Sequence, residues 1–264
     1  MITVGAFKTM GTAARGDDLI ASYSSKGPTL FDHVAKPDLV APGNQVISTA
    51  AQSTAVLEAG YAGNYTPYSI FEPAGWYGAS PYYFTMSGTS MAAPVVSGAA
   101  ALLLRQNPNL TPDEVKARLM KTATKNFPAS SIATDPVTGT MYTSYYDLFT
   151  VGAGYLDVWA ALNNSDTVPA GTTALSPSVV YNSATGKVTL VNGANVIWGT
   201  NVIWGTNVIW GTSVLSGANV IWGTNVVWGT SGTQGFNVVW GTNVVWGTGV
   251  PSGESTSIIV NGDK

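Results

Sequence analysis

The 264-residue chain has no cysteine and one histidine, His33. The first absence excludes disulfides and thiolate metal sites, and says nothing about compartment. The second leaves any serine nucleophile a single imidazole within these residues. Charge is also scarce: 9% of residues are charged, against the roughly 25% usual for soluble proteins. With a net charge of −3, the chain lacks the basic face that nucleic acid selects. No run reaches the ~20 continuous apolar residues of a membrane span, because Gly, Asn or Thr interrupts each one. Met1 leads straight into ITVGA with no basic n-region, so no signal peptide is present as written. A domain rarely opens inside a core strand, which suggests the carboxyl-terminal part of a larger protein.

What is present divides into regions of different character. At 45% apolar residues the chain is long enough for a substantial core. ITVGA (2–6), LIASYS (19–24) and VIST (46–49) read as short buried strands. TSMAAPVVSGAAALLLR (89–105) predicts a helix apolar enough to be buried on nearly all sides, with Pro94 near its first turn. A second helix opens at T-P-D-E. Thr111 is its cap, Pro112 its first residue and Glu114 completes a capping box. Val115, Leu119 and Ala123 form its apolar side, and Lys116, Arg118, Lys121 and Lys125 fall outside or in the last turn. Alternating strands and helices suggest an α/β layer fold.

Four phrases, YSSKGPT (23–29), KPDLVAPG (36–43), GTSMAAP (88–94) and GAGYLDVWAAL (152–162), resemble the subtilase family of serine peptidases and occur in that family's order. The resemblance implies a partial, subtilisin-like, parallel-sheet three-layer domain over 1–163. It also implies Ser90 as acylating nucleophile, Thr89 as oxyanion support, a protein or peptide substrate and an extracellular location. A serine at a helix N-terminus has free N–H groups and the positive end of the dipole beside it, suited to an oxyanion. The bland alternative is that Ser90 merely caps the helix.

The family's other catalytic groups lie in their own motifs upstream of the serine. Neither the aspartate motif, nor the His-Gly-Thr motif, nor the oxyanion asparagine occurs here. His33 beside Asp32 makes a dyad on paper, but neighbours on an extended chain point to opposite sides, so His33 reads as a turn residue. Val95 replaces a histidine common in relatives, at a helix position outside the triad. The residues themselves establish no cofactor; the resemblance allows calcium, which the family often uses, but Asp17, Asp18 and Asp38 show no ligand spacing.

Between VIST and the serine phrase lie 37 residues (49–85), nine of them aromatic: Tyr61, Tyr65, Tyr68, Phe71, Trp76, Tyr77, Tyr82, Tyr83 and Phe84. They read as a loop that either walls a substrate cleft or packs on itself. After a linker with short strands (164–190), N-V-I/V-W-G-T recurs at 195, 201, 207, 219, 225, 237 and 243 within a repeat region 191–250, before a tail at 251–264. The interruptions SVLSGA (213–218) and SGTQGF (231–236) are each one hexad long, so register holds over nine hexads. In extended conformation Val, Trp and Thr share one face, and the run suits a β-solenoid. Structural wrapping, glycan stacking and self-association through a cross-β-like sequence remain open for it.

Two functions follow. One is a serine endopeptidase seen through its nucleophile-bearing half, inactive alone without the triad Asp, His and oxyanion Asn. The other is a non-enzymatic repeat protein, surface-associated or glycan-binding, that carries a relic peptidase segment.

Overall fold

The computed structural model describes residues 1–51, 55–72, 77–124, 126–134, 139–167, 173–182, 187–191, 219–222, 225–228, 237–240, 243–246 and 262. Its first sheet has the order β2-β1-β3, with β1 at Val4–Lys8, β2 at Leu19–Ile20 and β3 at Leu39–Pro42. β1 runs parallel to β3 and antiparallel to β2. Of the expected strand 19–24 only Leu19 and Ile20 pair. The chain turns at Ala21–Ser24, and the Ser24 hydroxyl accepts the Ala6 N–H at 3.0 Å.

Side-chain alternation divides the core between the two faces of this sheet. Ala6, Leu39 and Ala41 pack with α2 (Thr89–Gln106) and α3 (Pro112–Thr122). Phe7 and Val40 pack on the other face with Val151 and Tyr155, and the Phe7 and Tyr155 ring centroids stand 3.7 Å apart. The result is a mixed α/β domain with small sheets, consistent with a subtilisin-like fold.

α2 corrects one expectation. Ala92, Val96, Ala99 and Leu103 are buried, but Ala93, Pro94, Ser97, Gly98, Ala101 and Leu102 are exposed. An all-apolar helix is buried only where a second layer covers it, and among the described residues one face has none. α3 has the expected cap: Thr111 Oγ1 accepts the Glu114 N–H, and Glu114 accepts the Thr111 N–H at 2.8 Å. Its cations depart from expectation, because Lys116 and Arg118 are buried. The chain beyond residue 163 crosses them: Arg118 donates to the Asp166 carbonyl at 3.1 Å, and Lys116 to the Ser176 hydroxyl at 3.2 Å. Lys121 pairs with Asp166, and Lys125 lies outside the described residues.

The aromatic insert forms a second sheet of order β4-β6-β5, with β4 at Val46–Thr49, β5 at Tyr65–Pro67 and β6 at Ala79–Met86. A short helix, α1 (Val56–Gly60), precedes β5. β4 is the expected VIST strand, but it is mostly exposed, because it pairs at the edge of this sheet and not in the core. A hairpin of β7 (Ser130–Thr134) and β8 (Met141–Tyr145) follows α3, then α4 (Leu148–Val151) and α5 (Val158–Leu162). β9 (Ser178–Asn182) pairs antiparallel with β10 (Lys187–Val191).

Four described strands fall in the hexad repeat: β11 (Asn219–Trp222), β12 (Asn225–Trp228), β13 (Asn237–Trp240) and β14 (Asn243–Trp246). β11 pairs parallel with β13, and β12 pairs parallel with β14. The remaining hexad residues lie outside the described set.

Candidate active site

The mouth of α2 is built on two glycines. Beyond β3, the Gly43 N–H donates to the Phe7 carbonyl at 3.0 Å, and its carbonyl accepts the Gly88 N–H at 2.8 Å. A Cβ on Gly43 would lie 2.6 Å from Ala6 Cβ and 2.9 Å from the Gly88 oxygen, so only glycine lets the helix start rest on the sheet. Gly88 is the N-cap at φ 147°, a conformation that favours glycine. Ser90 is therefore the second helical residue and not the cap. It is exposed, and its N–H precedes the first intrahelical bond, from Met91 to the Gly88 carbonyl at 3.0 Å. Pro94 has no N–H to offer the Ser90 carbonyl four residues earlier, so the helical ladder lacks that bond.

The surrounding loops hold this mouth in place. Ser87 is buried and accepts the Gln45 N–H at 2.8 Å. The Tyr23 hydroxyl donates to the Gly43 carbonyl at 2.9 Å. Gly262, far along the chain, also lies here: a Cβ on it would stand 2.9 Å from both Asn44 Oδ1 and Ser87 Oγ. β6 leads directly into the mouth, and the insert it belongs to packs on itself. Phe71 meets Tyr83 edge-on at 5.1 Å, and Tyr65 meets Phe84 at 5.2 Å. Tyr77 and Tyr82 remain exposed, and Trp76 lies outside the described residues.

His33 occupies a turn at φ 50°, and its carbonyl accepts the Val179 N–H at 2.8 Å. Asp32 accepts the Thr29 hydroxyl. The three aspartates weighed as calcium ligands have separate surroundings. Asp17 accepts the Thr12 hydroxyl at 2.9 Å. Asp18 is buried, its Oδ1 has no partner among the described residues, and burial pushes its carboxyl above the usual range against a hydrogen bond from Tyr155. Calcium takes about 6–8 oxygens. Among the described residues no three His, Cys, Asp or Glu side chains gather in one place.

Asp38 is the polar centre that sequence reasoning missed. It is fully buried, and its carboxylate receives the Lys36 ammonium at 2.7 Å, the Lys116 ammonium at 3.2 Å, the Thr3 N–H at 2.7 Å and the Ser176 hydroxyl. Burial works to raise its carboxyl, but the two ammoniums and the hydroxyl outweigh burial and hold it below the usual aspartate range. Burial pushes the Lys116 ammonium down, and Asp38 opposes that. The only sequence signal was the pair of charges in Lys-Pro-Asp; Ser176 stands 138 residues away. The cluster ties the start of β3, α3 and segment 173–178 together, at the end of β3 opposite Gly43.

The chain is thus an α/β domain that presents a serine in the first turn of a helix seated on its sheet. The family model described as "Subtilase family" matches residues 1–136, just over half of the chain, and the chain belongs to that family. Serine protease AprX of Bacillus subtilis is 44% identical over 124 residues, 47% of this chain and 24% of that protein. Subtilisin-like protease SBT1.6 of Arabidopsis thaliana is 34% identical over 148 residues, 55% of this chain and 17% of that protein. Among solved structures, fervidolysin from Fervidobacterium pennivorans shows 22% identity and a TM-score of 0.40, over 74% of this chain and 24% of that one. The chain thus spans about a quarter or less of the length of these proteins.

Proposed function

We propose that this chain is the nucleophile-bearing part of a secreted, subtilase-type serine endopeptidase that cleaves protein or peptide substrates through an acyl-enzyme. The observation that carries the reading is Ser90: exposed, second in α2, and relieved of capping duty by Gly88. Its hydroxyl attacks the scissile carbonyl, and its own N–H, at the positive end of α2, donates to the oxyanion. Thr89, one residue earlier, supports the same corner. Domain 1–163 supplies this nucleophile and half of the oxyanion hole. The triad Asp and His and the oxyanion Asn come from outside these 264 residues.

The expected cost of lacking them is large, since loss of the histidine alone costs about 10⁶-fold in turnover in subtilisin. The chain is therefore expected to be inactive by itself. The test is fluorophosphonate labelling of this chain and of the product translated with its preceding in-frame codons. The reading expects Ser90 to be labelled in the longer product and the label to disappear in Ser90→Ala. A longer product with all three missing groups that goes unlabelled, or is labelled elsewhere, refutes it. An in-frame stop immediately upstream favours the second reading, a non-enzymatic repeat protein, which draws on the paired strands of the hexad region.

A further inference from the structure

We infer that the hexad region winds as a coil with three hexads per turn. The inference rests on reading that region as a β-solenoid and fixes its period. Two independent observations carry it. The first is in the backbone: Asn219–Trp222 pairs with Asn237–Trp240, and Asn225–Trp228 with Asn243–Trp246. Each pair is parallel, and each joins a strand to the one three hexads later. The pairing is residue for residue, Asn219 with Asn237, Trp222 with Trp240 and Trp228 with Trp246.

The second lies in the sequence and owes nothing to the strands. The two hexads that depart from the consensus, SVLSGA at 213 and SGTQGF at 231, are themselves separated by the same three-hexad step. A three-hexad period puts both on one side of the coil. The other two sides then consist only of N-V-I/V-W-G-T. A period of two or four hexads would scatter the odd hexads over different sides. A coil of this kind buries nothing until it is stacked, so identical hexads must fall on one another in register. Two sides thus carry unbroken files of Asn and of Trp along the axis, spaced by the ~4.8 Å between strands, and asparagine files of this kind reinforce a ladder.

The third side carries the two hexads without tryptophan, which gives the coil one distinct face. The ends differ as well. Pro251 and Glu254 follow the last turn, and both residue types blunt a strand edge.

The absence of cysteine makes this directly testable in the full chain. In-register neighbours at ~4.8 Å fall within the ~4.4–6.8 Å Cα separation that a disulfide spans. Three double variants are oxidised and run without reductant: Asn219→Cys with Asn237→Cys, Ser213→Cys with Ser231→Cys, and Asn225→Cys with Asn237→Cys. The first two pairs are three hexads apart and are expected to close within the monomer. The third is two hexads apart and is expected to stay open. The Ser213/Ser231 pair probes the side for which only the sequence speaks. Closure of the two-hexad pair alone overturns the period and keeps a solenoid. Links only between chains overturn both in favour of assembly between copies. No link in any variant means that the hexads form no ladder.

Discussion

Replacing Asp38 by Asn tests the buried cluster that locks β3, α3 and the 173–178 segment. The variant keeps the shape and an acceptor oxygen, but strands the ammonium of Lys116, whose side chain is 8% exposed, beside that of Lys36 at 21%. Removing one partner of a buried ion pair costs about 3–5 kcal/mol, because the remaining charge stays desolvated without compensation. For a chain of this size, each kcal/mol moves Tm by about 2–4 °C, so the fall is roughly 6–20 °C. Urea unfolding followed by far-UV circular dichroism reads it as a lower midpoint at unchanged slope. The pH dependence has a definite sign. The Asp38 carboxyl is depressed in the folded state, so its contribution is fully present above the ordinary value of 3.8 and is lost as pH falls through the folded value. Wild type and variant should therefore differ at neutral pH and converge under strong acid. Adding Lys116→Met to Asp38→Asn removes the stranded charge and should recover part of the loss. A midpoint change below about 1 kcal/mol at pH 7, the scale of an exposed pair, would refute the reasoning.

Two further outcomes concern local structure. Gly43→Ala forces a Cβ to 2.6 Å from Ala6 Cβ and 2.9 Å from the Gly88 oxygen, so it should cost about 1–3 kcal/mol, read as a lower urea midpoint. Thr111→Ala removes the acceptor for the Glu114 N–H and should cost about 0.5–2 kcal/mol, with Thr111→Ser close to wild type in the same melt.

The parts legible in the sequence are those set by neighbours a few residues apart. The α3 capping box needs only Thr111, Pro112 and Glu114, and it forms as read. The start of α2 at Thr89 was equally plain, yet its exposed face was not, because burial depends on what lies across from a helix. LIASYS has a strand's composition, but Ser24 turns its hydroxyl back to the β1 backbone and ends the pairing after Ile20. The insert was read as loop; β6 is a strand because it is the central one of three. Lys116 and Arg118 were assigned to the surface from helical position alone, and a segment from beyond residue 163 covers them. Ser90 stands out as a candidate nucleophile from GTSMAAP alone. Its release from the capping role required the φ of Gly88, which no residue pattern specifies.

Pairing across three hexads also constrains how such a region can change length. So regular a coding tract invites copying slippage by whole hexads. Gaining or losing a single hexad would preserve the strand alternation, yet move every later hexad to the next side and bring unlike hexads into register. Only changes of three hexads at a time would keep every later hexad on its own side, as Trp222 stands opposite Trp240. Homologous tails should then differ by whole turns.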